Sequence, residues 1–143
     1  MSLKGVHHIG ILVDDLPQAE AFLGDVLGLE VVKRASIPAE KTEVCFFDCG
    51  GVSLELIAIG DPELRARRGR SGGAAPEIEH VAFAVDEIEA DAARMREHGV
   101  RFAASGALLE ETDKPLELAG SRSFFSFRDT SVGIVWQLIE ETG

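Results

Sequence analysis

The chain is poor in the features that mark disulfide-rich, membrane-spanning and nucleic-acid-binding proteins. It has two cysteines, Cys45 and Cys49, close together on or beside one short predicted strand, and we interpret them as reduced thiols of a cytoplasmic protein. No apolar run approaches the roughly 20 residues of a membrane-spanning helix, and the start "MSLKG" has no signal-peptide core. With 14 basic against 25 acidic residues the net charge is −11, which argues against a nucleic-acid partner.

What is present is typical of one compact soluble domain over residues 1–143, since 45% of the residues are hydrophobic and 27% charged. One local departure from the acidic composition is "RARRGR", with four arginines between Arg65 and Arg70. Such a cluster could bind a phosphate or carboxylate, or it could simply be a solvated linker.

A pattern that occurs twice divides the chain into halves. His8 begins an apolar run that ends in Asp14, Asp15 and Leu16, and 72 residues later His80 begins a run that ends in Asp86, Glu87 and Ile88. Both runs predict buried strands. A helical pattern follows each of them and stops at a glycine, Gly28 and Gly99.

Three further strands are predicted in each half, which gives the element order βαβββ twice. We therefore predict an α+β fold of two such modules that form a curled sheet around a metal site. Module one covers about residues 5–60 and module two about residues 77–141. The stretch 61–76 between them, rich in arginine, glycine and proline, is predicted to be a linker.

Four polar residues stand at matching places in the two modules. His8 and His80 lie on the first strands, and Glu55 and Gln137 interrupt apolar last strands. A buried carboxylate is costly unless something compensates it, and a divalent metal would do so. Two imidazoles, a carboxylate and an amide oxygen suit Co, Mn, Ni, Zn or Fe better than Mg or Ca. His7 is predicted to point to the other face, and His98 to close a helix.

The motifs "HHIGILVDDL", "FLGDVLGLEVV", "SLELI", "IEHVAFAVDEIEA", "HGVRF" and "TSVGIVWQLIEE" together resemble the vicinal oxygen chelate superfamily, which includes glyoxalases, bleomycin-resistance proteins and extradiol dioxygenases. The resemblance spans Val6 to Glu140. It implies paired βαβββ modules around a metal held at His8, Glu55, His80 and Gln137, and a homodimer. Within the superfamily the sequence is most similar to methylmalonyl-CoA epimerases, although Glu and Gln are interchanged here between the two last-strand positions.

An epimerase-like activity implies removal of a proton next to a thioester carbonyl, through an enolate that the metal stabilises. Glu55 would be both ligand and base, and Glu40 or Glu43 the second acid–base group. Arg122 could bind a substrate carboxylate, or be a strand-edge surface residue. The Arg65–Arg70 cluster could meet the phosphates of coenzyme A.

Two other functions fit the same resemblance. One is a lactoylglutathione lyase of the glyoxalase I type, for which Gln137 stands where a glutamate base would be expected. The other is a small-molecule (antibiotic) binding protein without catalysis. For the epimerase-like activity, the expected partner is a small-molecule substrate such as an acyl-CoA. No membrane partner is expected.

Overall fold

A computed structural model describes residues 1–142 and gives them an α+β fold with nine strands and three α-helices. The predicted fold class is confirmed, and so is the repeated βαβββ order, with one extra short strand, β7. No helix in the described part of the chain combines the length and the apolar character needed to cross a bilayer. The strands are β1 Leu3–Leu12, β2 Glu30–Ile37, β3 Thr42–Cys49, β4 Val52–Ile59, β5 Glu77–Val85, β6 Phe102–Ala103, β7 Leu116–Leu118, β8 Ser121–Ser126 and β9 Val135–Glu141, and the helices are α1 Leu16–Ala21, α2 Pro62–Arg67 and α3 Ile88–Glu97.

One compact unit comprises residues 8–79. Its strands lie in the order β2-β3-β4-β1, with β1 parallel to β4 and the other neighbours antiparallel. A helix crosses between β1 and β2, and tight turns join the remaining strands, with Gly50 and Gly51 at positive φ between β3 and β4. One face of these strands packs against α1 in a core that includes Leu23, Cys45, Phe47 and Leu56.

The first helix begins and ends where the sequence predicts, but it is not α-helical throughout. The Asp15 carboxylate caps α1 by accepting a hydrogen bond from the Gln18 amide at 3.0 Å. After Ala21 the chain continues as a π-helical turn, Phe22–Val26. Gly28 then takes a φ of +75°, a backbone conformation that side chains disfavour.

The stretch predicted as a linker contains the short helix α2. Asp61 caps it by accepting from the amides of Glu63 and Leu64. Leu64, the only large apolar side chain of α2, packs with Leu12 and Ile57 on the sheet face opposite α1. A helix of six residues with a single apolar contact has no periodicity to detect, so the sequence pattern suggested a loop.

The other compact unit comprises Met1–His7 and the chain from His80 onward. Its strand order is β5-β9-β8-β6, with β7 paired to β8, and β5 is parallel to β9. The helix α3 covers one face, where Ile88, Phe102, Phe124 and Leu138 form the centre of a core. One of the three further strands predicted in this half, β6, is only two residues long, and the chain between β6 and β8 contains the additional strand β7.

Leu56→Ala tests the core beneath α1. Leu56 is 2% exposed, and truncating such a side chain costs about 2–5 kcal/mol because a cavity is left. Val32→Ala, at a position 58% exposed on the edge strand, is the matched control and should change the free energy of unfolding by less than about 0.5 kcal/mol. Chemical denaturation measures both, and equal effects would contradict the assigned core.

Candidate metal centre

His8 and Glu55 lie on neighbouring parallel strands and point to the same face. In the register of β1 and β4, His8 pairs with Ser53 and Gly10 pairs with Glu55, and paired residues share a face. The His8 Nε2 lies 3.3 Å from the Glu55 Oε1. Gly10 carries no side chain at the position between them, which leaves room for the imidazole and carboxylate to approach each other.

The second module repeats this arrangement with an amide. In the register of β5 and β9, Ala82 pairs with Gln137 and His80 pairs with Val135, so His80 and Gln137 share a face. Gln137 is buried, and its Nε2 donates to the Ser123 Oγ at 3.1 Å. This hydrogen bond orients the amide, so its oxygen is the atom that Gln137 would offer to an ion.

Three of the four residues bring ligand atoms together. His8, Glu55 and His80 each offer one nitrogen or oxygen, and these atoms all lie within 4.8 Å of one another. Two atoms that each bind one ion at about 2.0–2.2 Å can be no more than about 4.4 Å apart, so small side-chain adjustments suffice. Two imidazole nitrogens and a carboxylate oxygen fit a first-row transition ion.

Apolar and aromatic groups surround the two histidines. The Phe46 ring meets the His8 imidazole edge-on, with centroids 5.7 Å apart, and Phe125 does the same for His80 at 6.1 Å. His8 and His80 are only 3% and 2% exposed. These phenylalanines were not predicted as site residues, although Phe46 pairs with Glu55 and Phe125 with Gln137 across the strands.

A buried ion pair that the sequence did not predict adds charge near Glu55. The guanidinium of Arg68 donates to the Glu79 carboxylate from Nε at 2.6 Å and from Nη2 at 2.7 Å. Burial opposes the charged form of Arg68, but the hydrogen bonds and the charge of Glu79, with smaller contributions from Glu55 and Glu40, raise its pKa above the ordinary value. Arg68 therefore holds a fixed positive charge within electrostatic range of Glu55 and Glu40.

The two glutamates predicted as alternative acid–base groups occupy different surroundings. Glu43 pairs with Ala58 on the α1 side of the sheet, the face opposite Glu55, and accepts a hydrogen bond from Ser36 at 2.7 Å. Glu40 ends the short 3-10 turn before β3, and its carbonyl accepts from the Thr42 hydroxyl. Thr42 pairs with Ile59 and so points to the Glu55 face, and the acid–base role of Glu40 stays a prediction.

Arg122 does not point to the face of Gln137. It pairs with Glu140 on the α3 side of β8 and β9, and donates to Glu140 from Nε and Nη2 and to Glu89 from Nη1. These two internal carboxylates are what the alternative, a structural residue at the strand edge, leads one to expect; that Arg122 binds a substrate carboxylate stays a prediction.

The arginine cluster of residues 65–70 is likewise only partly available. Arg65 is buried and donates to the carbonyl of Ala75 at 2.7 Å, while Arg68 is held by Glu79. The prediction that the whole cluster meets phosphates is wrong for these two, because internal acceptors bind them. Arg67 and Arg70 are exposed.

The remaining predicted histidines have structural places. His7 precedes His8 on β1 and therefore points to the other face of the strand. Its Nε2 lies 2.6 Å from the Glu141 Oε1. His98 follows the last residue of α3.

The sequence of this chain matches a known protein family. A model described as "Glyoxalase/Bleomycin resistance protein/Dioxygenase superfamily" matches residues 7–114. Mitochondrial methylmalonyl-CoA epimerase of Bos taurus is 28% identical over 119 residues, 80% of this chain and 66% of that protein, just under two thirds of its length. The uncharacterized protein YaeR of Escherichia coli K12 is 32% identical over 104 residues, 71% of this chain and 76% of its own.

Solved structures share the fold. Methylmalonyl-CoA epimerase from Mycobacterium tuberculosis has a TM-score of 0.79 at 21% identity, covering 99% of this chain and 91% of its own. A Streptomyces coelicolor methylmalonyl-CoA epimerase in complex with 2-nitronate-propionyl-CoA has a TM-score of 0.77 at 23% identity, covering 99% and 100%.

Glu79→Gln tests the buried ion pair. Removing one charge leaves Arg68 buried without its counter-charge, which typically costs about 3–5 kcal/mol. Replacing both, as Arg68→Met with Glu79→Leu, should restore much of the lost stability, because neither charge is then buried. Urea denaturation of the wild type and the two variants measures this, and a double variant no more stable than Glu79→Gln would contradict it.

Glu140→Gln tests the Arg122 pair through its pH dependence. The hydrogen bonds from Arg122 outweigh the cost of burial and lower the pKa of the Glu140 carboxyl. Its contribution to stability is thus present above the ordinary pKa and is lost as the pH falls through the lowered one. The variant should be less stable than the wild type at pH 7, and the two should converge towards about pH 3. A constant difference across thermal melts from pH 3 to 7 would contradict this.

Proposed function

Because the chain belongs to the Glyoxalase/Bleomycin resistance protein/Dioxygenase superfamily, we propose that it is a metal-dependent isomerase that moves a proton on the carbon next to a thioester carbonyl, as methylmalonyl-CoA epimerases do. The convergence of His8, Glu55 and His80 is the observation that carries the proposal. The similarity to mitochondrial epimerases over 80% of this chain supports the substrate class, an acyl-CoA. We keep the proposal that residues 1–143 form one domain of two modules.

Four residues are proposed to hold a divalent ion of the Co, Mn, Ni, Zn or Fe type. His8 and His80 provide nitrogen, Glu55 a carboxylate oxygen and Gln137 its amide oxygen. When bound, such an ion supplies positive charge that stabilises the enolate oxygen of the substrate. The edge-on rings of Phe46 and Phe125 exclude water around the two imidazoles, which strengthens electrostatic interactions there.

Epimerisation needs one group to take the proton and another to return a proton to the opposite side of the carbon. We propose Glu55 as the base, since a carboxylate that accepts the proton becomes the carboxylic acid and leaves the electron pair on the substrate. Glu40 is proposed to donate a proton from the other side and to be reprotonated from solvent.

The identity of Gln137 favours the isomerase over a lyase of the glyoxalase I type. An amide accepts no proton at neutral pH, so a base at the last-strand position of module two is absent. The Ser123 hydroxyl, which accepts a hydrogen bond from the Gln137 amide, likewise offers no carboxylate.

Exchange in heavy water tests the proposed reaction. Methylmalonyl-CoA incubated with the protein and Co, Mn, Ni or Zn should gain one deuterium at C2, measured by mass spectrometry. Glu55→Gln should slow the exchange by about 10²–10⁴-fold, the usual contribution of general base catalysis. Glu43→Gln is the matched control, because Glu43 lies on the opposite face, and should exchange like the wild type.

Two results would contradict the proposal. One is no exchange at high enzyme concentration with any of these metals. The other is release of a thioester from a glutathione hemithioacetal without exchange at C2, which would assign the lyase instead.

A further inference from the structure

An apolar pocket lies within the unit that contains α3. Its volume is about 520 Å³, inside the range of roughly 300–1,000 Å³ typical of small-molecule sites. The walls come from α3 and from the strands beneath it, and Phe83 and Trp136 stack in them with centroids 5.6 Å apart and planes 11° from parallel. Apolar side chains make up most of the lining, including Met95, Val100 and Leu138.

This pocket is distinct from the candidate metal centre. Trp136 and Leu138 flank Gln137 on β9, so their side chains point to the opposite face of the strand. Likewise Phe83 alternates with Ala82, which pairs with Gln137. A ligand in this pocket therefore lies on the α3 side and is not the substrate of the proposed reaction.

A guanidinium on α3 and an imidazole on the residue after this helix stand at the rim. Arg94 and His98 both line the pocket and are exposed, one turn apart on the same side of the helix. The neighbouring arginines are engaged elsewhere: Arg96 lies over the rings of Phe102 and Phe124, and Arg101 pairs with two carboxylates. Within residues 1–142, Arg94 has no such partner.

An exposed valine completes the rim in a disfavoured conformation. Val132 lines the pocket, is 85% exposed and has a φ of +55°, a region that β-branched residues rarely adopt. Hydrogen bonds of the preceding Ser131 to the carbonyls of Phe127 and Ile134 fix the loop. The fold thus exposes an apolar side chain to water at the mouth of an apolar pocket.

We propose that this pocket binds an organic carboxylate with an apolar chain or ring. The apolar part would lie against the stacked Phe83 and Trp136, under Val132, and the carboxylate would meet Arg94 and His98 at the rim. Charge complementarity selects an anion, since the guanidinium of Arg94 lines this rim on a chain of net charge −11, and the His98 imidazole adds a hydrogen-bonding group. The proposal stands independently of the proposed function, because it involves no residue of the metal centre.

Trp136 is the only tryptophan of the chain, so its fluorescence reports directly on this pocket. We would titrate the protein with decanoate and, separately, with 1-decanol, below the concentrations at which either aggregates. A saturable change in Trp136 emission with decanoate, at lower concentration than with decanol, is the expected result.

Three variants assign the binding to the rim. Arg94→Gln should weaken decanoate binding about three- to fivefold, the range for an exposed ion pair, and leave decanol unchanged. Arg101→Gln removes the same charge outside the pocket and should bind like the wild type. Val132→Asp replaces apolar rim surface by a negative charge and should weaken decanoate binding at least tenfold, with an unchanged thermal unfolding midpoint as evidence of folding.

Three outcomes would overturn the proposal. The first is no saturable change in Trp136 emission with decanoate. The second is that Arg94→Gln and Arg101→Gln weaken decanoate binding equally. The third is a Trp136 emission that shifts with protein concentration alone, while sedimentation shows a dimer. The last would mean that a second copy of the chain covers the pocket.

Discussion

The carboxylate of Glu55 in an apolar strand is the charge on which the arrangement of the site depends. An ionised carboxylate inside a sheet is unfavourable unless cations or hydrogen-bond donors surround it. Here the surroundings provide them: His8 approaches to 3.3 Å, and His80 brings a second imidazole into the same cluster. Such a set of groups is stable with a divalent ion among them, since the ion offsets the desolvation of every ligand at once.

One face of the strands carries the hydrophobic core, and the other face carries the residues of the candidate metal centre. On the α1 side, Leu23, Phe47 and Leu56 form a core in which Cys45 is buried and its thiol pKa is raised to about 11 by burial and by the carboxylate of Glu20, which makes it unreactive. On the other side the strands carry His8 and Glu55 and only a small cluster with α2. Module two repeats this division, with α3 over its core.

Strand alternation made much of the site predictable. Because His8, Glu55, His80 and Gln137 interrupt apolar strands at corresponding positions, the repeat alone indicated that each pair shares a face, and the registers of β1 with β4 and β5 with β9 agree. Within one strand, parity needs no knowledge of the neighbours. The element order followed from the same repeat.

What the local sequence could not show depended on partners that are distant along the chain. Glu43 and Arg122 were assigned roles without knowing which residues lie opposite them, and the register places them beside Ala58 and Glu140, on the faces away from the ligands. The ion pair joins Arg68, in the stretch predicted as a solvated linker, to Glu79 on the strand β5. Nothing in the local pattern distinguishes a buried arginine from the exposed ones beside it.

Metal content tests the central claim most directly. The protein, purified without a metal-affinity step, and its His8→Ala/His80→Ala variant would be reconstituted with Co, Mn, Ni or Zn, desalted and measured by elemental analysis. The account predicts about one ion per chain in the wild type and loss of that ion in the folded variant, because the three ligand atoms that converge would become one. An ion retained equally by both proteins, or none bound by either, would contradict a metal centre built on these residues.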